Sequence, residues 1–223
     1  MLRTPMLIIN LKTYASGTGK NAETIVEICE KMASGRTIII AAQAADIHRT
    51  SKKAKKVTVF AQHIDAAEQG RNTGFVTAEA VSEAGAKGTI INHAEHKIPL
   101  MLVTKAVERA NKNNLITVVC AATAKEAAEI AKACSPDYIA IEPPELIAGK
   151  VGVSTAKPEI ITDTIKAVNN VRAIPVICGA GVSSKEDVKA AIRLGAKGVI
   201  VANFVMSAKD KRKAISELLE GLG

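Results

Sequence analysis

Short apolar runs recur along the chain at near-even spacing, and each is followed by an amphipathic stretch. The runs are Met6–Ile9, Thr37–Ala41, Val57–Ala61, Gly88–Ile91, Leu115–Cys120, Tyr138–Ile141, Ile174–Ile177 and Gly198–Val201. They are rich in β-branched residues and too short to be helices, so they read as buried strands. Between them lie helical patterns such as Ala22–Met32, Pro99–Lys112, Ala124–Ala133, Lys185–Leu194 and Ala208–Leu219. Ser183 or Ser184 caps the fourth of these, with Glu186 and Asp187 in its first turn, and Gly195 closes it. Eight strand–helix units in 223 residues leave about 28 residues per unit, a workable βαβ period. The closed solution is a (β/α)8 barrel occupying residues 1–223 as a single α/β domain, near the short end of the usual size range. An open doubly wound sheet is the alternative. The first strand–helix turn, Asn10-Leu11-Lys12-Thr13-Tyr14, lacks the G-x-G-x-x-G that a dinucleotide fold places there, which favours the barrel.

Composition narrows the partners. Aromatic residues make up 2% of the chain, with no Trp, so the core is built from Ile, Val, Leu and Ala. That argues against a surface that stacks nucleic-acid bases. The net charge of +8 suits an anionic partner, but Lys and Arg are spread along the chain. The densest cluster, Lys52, Lys53, Lys55 and Lys56, reads as a solvated face. A basic field of this kind draws in a small phosphate ester as readily as a nucleic acid, and the reading here is no nucleic acid and no membrane. Cys29, Cys120, Cys134 and Cys178 show no paired spacing, so neither a metal site nor a disulfide framework is expected. Cys120 and Cys178 end apolar runs and read as buried thiols. The chain enters its first strand almost at once, and no apolar stretch approaches bilayer length, so a reducing cytoplasm is the expected location.

In a barrel, chemistry gathers at the C-terminal ends of the strands. The polar residues there are Asn10 and Lys12, Gln62 and His63, then Asn92, His93 and Glu95, and Glu142. Gly179-Ala180-Gly181 follows the seventh run and Ala202-Asn203 the eighth. Singly, Lys12 reads as a surface lysine and His63 as a hydrogen-bonded packing residue, while His48 and His96 read as exposed. Glu142 is different: a carboxylate directly after Tyr-Ile-Ala-Ile and before Pro-Pro has little structural reason to be there. Burial raises a carboxylate's pKa, and a raised pKa is what a general base working near neutrality needs. The turns after the seventh and eighth runs fall where barrels commonly bind phosphate through backbone N–H groups and a short helix.

These segments together resemble the triosephosphate isomerase family, in its short archaeal form. The carriers are Asn10-Leu11-Lys12, Ala61-Gln62-His63, Asn72-Thr73-Gly74, Asn92-His93-Ala94-Glu95-His96 and Ile141-Glu142-Pro143-Pro144-Glu145-Leu146-Ile147. Cys178-Gly179-Ala180-Gly181-Val182 and Ala208-Lys209-Asp210 complete the set, in order over essentially the whole chain. The resemblance implies interconversion of dihydroxyacetone phosphate and D-glyceraldehyde 3-phosphate in glycolysis and gluconeogenesis, without metal or redox cofactor. It makes Glu142 the base and His93 a neutral electrophile near a helix start. Lys12 supplies fixed positive charge, Asn10 orients substrate oxygens, and Glu95 holds Lys12 or the lid in register. It places Ile147 and Ala148 in a lid over residues 143–150, and Gly179, Ala180, Gly181, Ala202 and Asn203 around the phosphate. It sends the Arg71–Gly74 loop to a neighbouring subunit, where Thr73 buttresses that subunit's Asn10 and His93. It implies a homo-oligomer, a tetramer rather than a dimer, with Met101, Leu102 and Val103 offering apolar surface.

Three positions depart from the family's pattern. Ile147-Ala148-Gly149-Lys150 stands where the lid tip reads Ile-Gly-Thr-Gly, Asn203-Phe204 where the eighth loop reads Ser-Gly or Gly-Gly, and Ala94 where many relatives have serine. Phosphate binding through backbone N–H groups tolerates Asn203 provided its side chain points away. The rival readings are another phosphate-binding barrel enzyme, or a degenerate barrel that only binds an anionic ligand. The sparse ligand set speaks against the first, as Asn10, Lys12, His93 and Glu142 together do against the second.

Overall fold

The computed structural model describes residues 2–143 and 158–223. Eight parallel strands close on themselves in sequence order. They are β1 (Met6–Asn10), β2 (Thr37–Ala42), β3 (Thr58–Ala61), β4 (Gly88–Ile91), β5 (Ile116–Ala121), β6 (Tyr138–Ile141), β7 (Val176–Cys178) and β8 (Gly198–Val201). β1 pairs with β2 from Met6↔Thr37 to Asn10↔Ala41, and with β8 from Met6↔Gly198 to Ile9↔Val201, which closes the ring. The expected (β/α)8 barrel is the fold of the chain. The strand bounds differ from the sequence reading by a residue or two. β7 begins at Val176 because Pro175 has no N–H to give to a ladder.

The helices packed around the barrel are α1 (Lys20–Glu30), α2 (Ile47–Lys53), α3 (Ala78–Glu83), α4 (Leu100–Lys112), α5 (Ala124–Ala133), α6 (Glu159–Asn169), α7 (Lys185–Arg193), α8 (Asn203–Met206) and α9 (Lys211–Leu222). Local chemistry sets their ends. Ser184 caps α7 by accepting from the Asp187 N–H at 3.1 Å. Asp210 caps α9 by accepting from the Lys213 N–H at 2.9 Å, which moves that helix three residues later than the expected Ala208–Leu219. The first helix starts at Lys20 rather than Ala22 because Gly19 takes φ +63° there, its N–H donating to Asp46 Oδ2 at 2.9 Å. The four-residue α8 was outside the helical patterns of the sequence.

The two-residue period of the strands sorts the apolar side chains into two cores. Met6, Ile8, Ile39, Ala41, Phe60, Ile90, Val118, Cys120, Tyr138, Ala140, Ile177 and Ile200 fill the barrel interior. Their neighbours in sequence, such as Leu7, Ile9, Ile38, Ile40, Ile139 and Val199, pack outward under the helices. Phe60 is fully buried in the interior, and Gly88 on the adjacent strand makes room for its ring. A Cβ on Gly88 would lie 2.5 Å from that ring. Cys120 and Cys178 are buried, as expected, and so are Cys29 and Cys134, whose burial the sequence reading did not address; Lys52, Lys53, Lys55 and Lys56 are exposed. No helix among the described residues is long and apolar enough to cross a membrane.

Candidate active site

The inward period does not stop where the strands end. Ile8 leads to Asn10, Ala140 to Glu142, Ile177 to Gly179 and Ile200 to Ala202, each two residues on. All four of these end residues line a cavity of ≈ 210 Å³ at the C-terminal mouth of the barrel. Lys12, His93, Ala180, Gly181 and Asn203 line it too, so the strand-end candidates from five different strands meet in one place. Val182, Ser183, Ile200, Val201 and Phe204 complete the lining. Ile200 and Val201 are strand residues, and nothing in their type marks them as site residues.

Glu142 is 2% exposed. Burial pushes its carboxyl above the ordinary value, against the downward pull of His93, the Ala94 N–H, Cys120 and Lys12. Its Oε2 accepts from the Ala94 N–H at 3.0 Å. Its Oε1 lies 3.4 Å from His93 Nε2, without hydrogen-bond geometry. Oε1 is thus a buried acceptor with no hydrogen-bond partner among the described residues. Native proteins seldom leave a buried carboxylate oxygen unmet, since it costs on the order of 1–3 kcal/mol or more. Gly179 permits the arrangement: a Cβ there would stand 2.6 Å from Glu142 Cγ and 3.0 Å from the Ile141 carbonyl oxygen.

His93 presents one nitrogen to Glu142 and the other to its own turn. The Glu95 N–H donates to His93 Nδ1 at 3.1 Å, so Nδ1 holds a lone pair and the ring's proton sits on Nε2. The family resemblance places His93 near a helix start, whereas the helical pattern in the residues begins at Pro99. The structure instead has a turn, closed by the His96 N–H on the His93 carbonyl at 2.7 Å, and α4 begins only at Leu100. Pro99 delays it, because the residue before a proline is held out of helical geometry. The Glu95 amide therefore sets the ring's tautomer.

Lys12 takes φ +45°, an uncommon conformation for lysine. Its N–H donates to Asn10 Oδ1 at 3.0 Å, and Gln62 Nε2 donates to its carbonyl at 3.0 Å. These contacts hold the backbone turn while Lys12 Nζ pairs with Glu95 Oε1 at 2.7 Å. Of the two jobs the resemblance offered Glu95, holding Lys12 is the one the structure describes.

The opposite wall is backbone. Gly181 takes φ +69° and Ala202 precedes the short α8, whose first amides have no partner within the helix. The Asn203 side chain turns away from these amides: its Oδ1 accepts from Ser207 Oγ at 2.6 Å and from the Tyr14 hydroxyl at 3.4 Å. Phe204 packs partly against the outer core while lining the cavity.

Other candidates fall elsewhere. His63 stacks on His96 with ring centroids 4.3 Å apart and lies 3.4 Å from Asp65, in keeping with a packing residue. His48 and His96 are exposed, as is Thr73 on the loop between β3 and α3, away from the cavity. Met101 is 64% exposed, but Val103 is buried in the outer core and offers no surface, because α4 turns that residue toward the barrel. Ile147 and Ala148 lie outside the described residues. Among the described residues no group of three or more His, Cys, Asp or Glu side chains is placed to hold a metal ion.

The triosephosphate isomerase family model matches residues 5–219. A triosephosphate isomerase of Methanothermus fervidus is 43% identical over 218 residues, covering 96% of this chain and 97% of the relative. That of Methanocaldococcus jannaschii is 41% identical over 218 residues, covering 96% and 99%. A crystal structure of triosephosphate isomerase from Bartonella henselae superposes with a TM-score of 0.77 at 17% identity, covering 96% of this chain and 98% of that one, a likeness of fold. A cavity built by strand ends, its buried carboxylate and these full-length similarities agree, and the chain belongs to the triosephosphate isomerase family.

Proposed function

We propose that the chain, acting as one (β/α)8 domain, interconverts dihydroxyacetone phosphate and D-glyceraldehyde 3-phosphate through an enediolate. The observation that carries this reading is Glu142: a buried carboxylate, raised in pKa, with one oxygen anchored and the other unpartnered beside His93 Nε2. The anchored oxygen fixes the group, and the free one accepts a proton from the substrate carbon next to the carbonyl. His93 donates its Nε2 hydrogen bond to the carbonyl oxygen as negative charge develops there. The proton on Glu142 then returns to the neighbouring carbon, and the two substrate oxygens exchange a proton with the help of His93. Atoms and charge balance without an added reactant.

Lys12, held by Glu95 on one side and by Asn10 and Gln62 at its backbone, supplies a fixed positive charge toward the enediolate and the phosphate. Gly179, Ala180, Gly181, Ala202 and Asn203 line the same cavity, where the backbone amides of the turn after β7 and of the first turn of α8 suit the phosphate oxygens. Asn203 in place of a smaller residue is compatible with that grip, since its side chain is engaged by Ser207 and Tyr14. Ile147 and Ala148 act as the lid, Thr73 completes a neighbouring subunit's site in a tetramer, and the enzyme works in the cytoplasm; these parts rest on the family resemblance. A coupled assay in both directions tests the function: turnover of either triose phosphate supports it, and none from folded, assembled protein overturns it.

A further inference from the structure

Asn92 stands between β4 and His93, and the chemistry above does not use it. It is 2% exposed, and its backbone takes φ +61°, a conformation that glycine adopts most readily and asparagine better than most. If only the backbone turn mattered, glycine would serve. The side chain, however, is engaged on three sides. Asn92 Nδ2 donates to the Cys120 carbonyl at 2.9 Å and to Glu126 Oε1 at 3.1 Å, and its Oδ1 accepts from the Ile98 N–H at 3.0 Å. Glu126 is itself fixed, its Oε2 accepting from the Ala122 N–H at 2.7 Å while Lys97 Nζ pairs with Oε1.

One amide therefore clamps both ends of residues 93–97 to each other and ties them to the end of β5 and the first turn of α5. Every contact this short turn makes with the site lies between the clamped ends: His93 Nε2 beside Glu142, the Ala94 N–H on Glu142 Oε2, and Glu95 on Lys12. The clamp is on the far side of the turn from the cavity, and Asn92 is not part of its lining. We infer that Asn92 is a positioning residue for proton transfer, its side-chain amide holding the turn that sets His93, the Ala94 amide and Glu95 in register with Glu142 and Lys12. This rests on the function proposed above. Misplacement of reacting groups by about 1 Å costs on the order of 100-fold in rate, so a clamp remote from the substrate is enough to matter.

Asn92→Gly keeps the backbone turn and removes the clamp. Expected are a kcat lower by about 10- to 100-fold and a KM changed by less than about twofold. The acid limb of the kcat/KM profile moves to higher pH as Glu142 loses the Ala94 N–H. The 15N shifts of the His93 ring, read without substrate, move from a single Nε2–H tautomer toward an averaged value. Asn92→Asp, which keeps the acceptor but sets a carboxylate against Glu126, gives the same changes. If Asn92→Gly does not fold, Glu126→Gln weakens the same clamp from outside the cavity, and smaller shifts of the same sign are expected. The inference is overturned if melting temperature falls while kcat, the acid limb and the His93 shifts stay at wild-type values. Wild-type protein without isomerase activity would instead overturn the proposed function, and the 15N shifts alone would then decide the role of Asn92.

Discussion

The two walls of the cavity are built differently. On the wall formed by β1, β4 and β6, polar side chains line the cavity and each has a fixed partner: Glu142 the Ala94 N–H, Lys12 the Glu95 carboxylate, His93 the Glu95 N–H. On the wall formed by the turns after β7 and β8, Gly179, Ala180, Gly181 and Ala202 carry little or no side chain, Asn203 is engaged by Ser207 and Tyr14, and Val182 and Phe204 are the bulkier residues. Proton transfer needs particular pKa values and tautomers, which only side chains supply. Binding a phosphate needs several N–H groups converging on one point, which a turn and a short helix supply. Substitutions should therefore act differently on the two walls.

The largest effect is expected at Glu142. Glu142→Gln should lower kcat by about 10²- to 10⁴-fold with little change in KM, the signature of losing a proton carrier rather than a binding group. Steady-state kinetics by coupled assay checks it, and wild-type-like turnover would remove Glu142 from its role. Gly179→Ala lies where the walls meet. Its added Cβ collides with Glu142 Cγ and the Ile141 carbonyl, so both kcat and stability should fall, stability by about 1–3 kcal/mol. Thermal melts and kinetics on one preparation measure both, and a neutral outcome would mean that Glu142 can sit elsewhere without loss.

A third expectation concerns stability and pH. Burial raises the Glu142 pKa above its unfolded value of 4.5, so the folded state prefers the protonated group. The stabilisation that preference brings is fully present below pH 4.5 and is lost as pH rises through the folded pKa. At neutral pH the ionised carboxylate is thus a cost, and Glu142→Gln should melt higher than wild type there. That advantage should shrink as pH falls toward 4.5, which melting curves across pH can follow. The smallest effect is expected on the backbone wall. Asn203→Ser keeps the amide and removes a side chain already turned away, so KM should move by less than about twofold. A large rise in KM would show that the Asn203 side chain is part of the phosphate grip.

The same contrast explains what could be read from the sequence. The inward period of β1 and β6 carries through Ile8 to Asn10 and Ala140 to Glu142, so alternation alone aims those side chains into the barrel mouth. His93 breaks the period. Continued alternation from Ile90 would send Asn92 into the cavity, and it is the left-handed Asn92 that delivers His93 instead. A positive φ at asparagine is not written in a single sequence, so strand-end position marks His93 as a candidate, while its role beside Glu142 came only through the family resemblance. The helix start near His93 was implied by the resemblance alone; the helical pattern in the residues begins at Pro99, one position before α4. Asn203 looked awkward as a residue type, and only the positions of Ser207 and Tyr14, four residues and most of the chain away, show where its side chain goes.

The central claim is that Glu142 carries one proton between two carbons of a triose phosphate. Isomerisation of dihydroxyacetone phosphate in D₂O, followed by proton NMR, tests it most directly. Wild type is expected to form product at an enzymatic rate, with deuterium on the carbon that receives the proton to the extent that the proton on Glu142 exchanges with solvent, and Glu142→Gln only at the buffer rate. Product formed by Glu142→Gln as fast as by wild type, labelled or unlabelled, would contradict it.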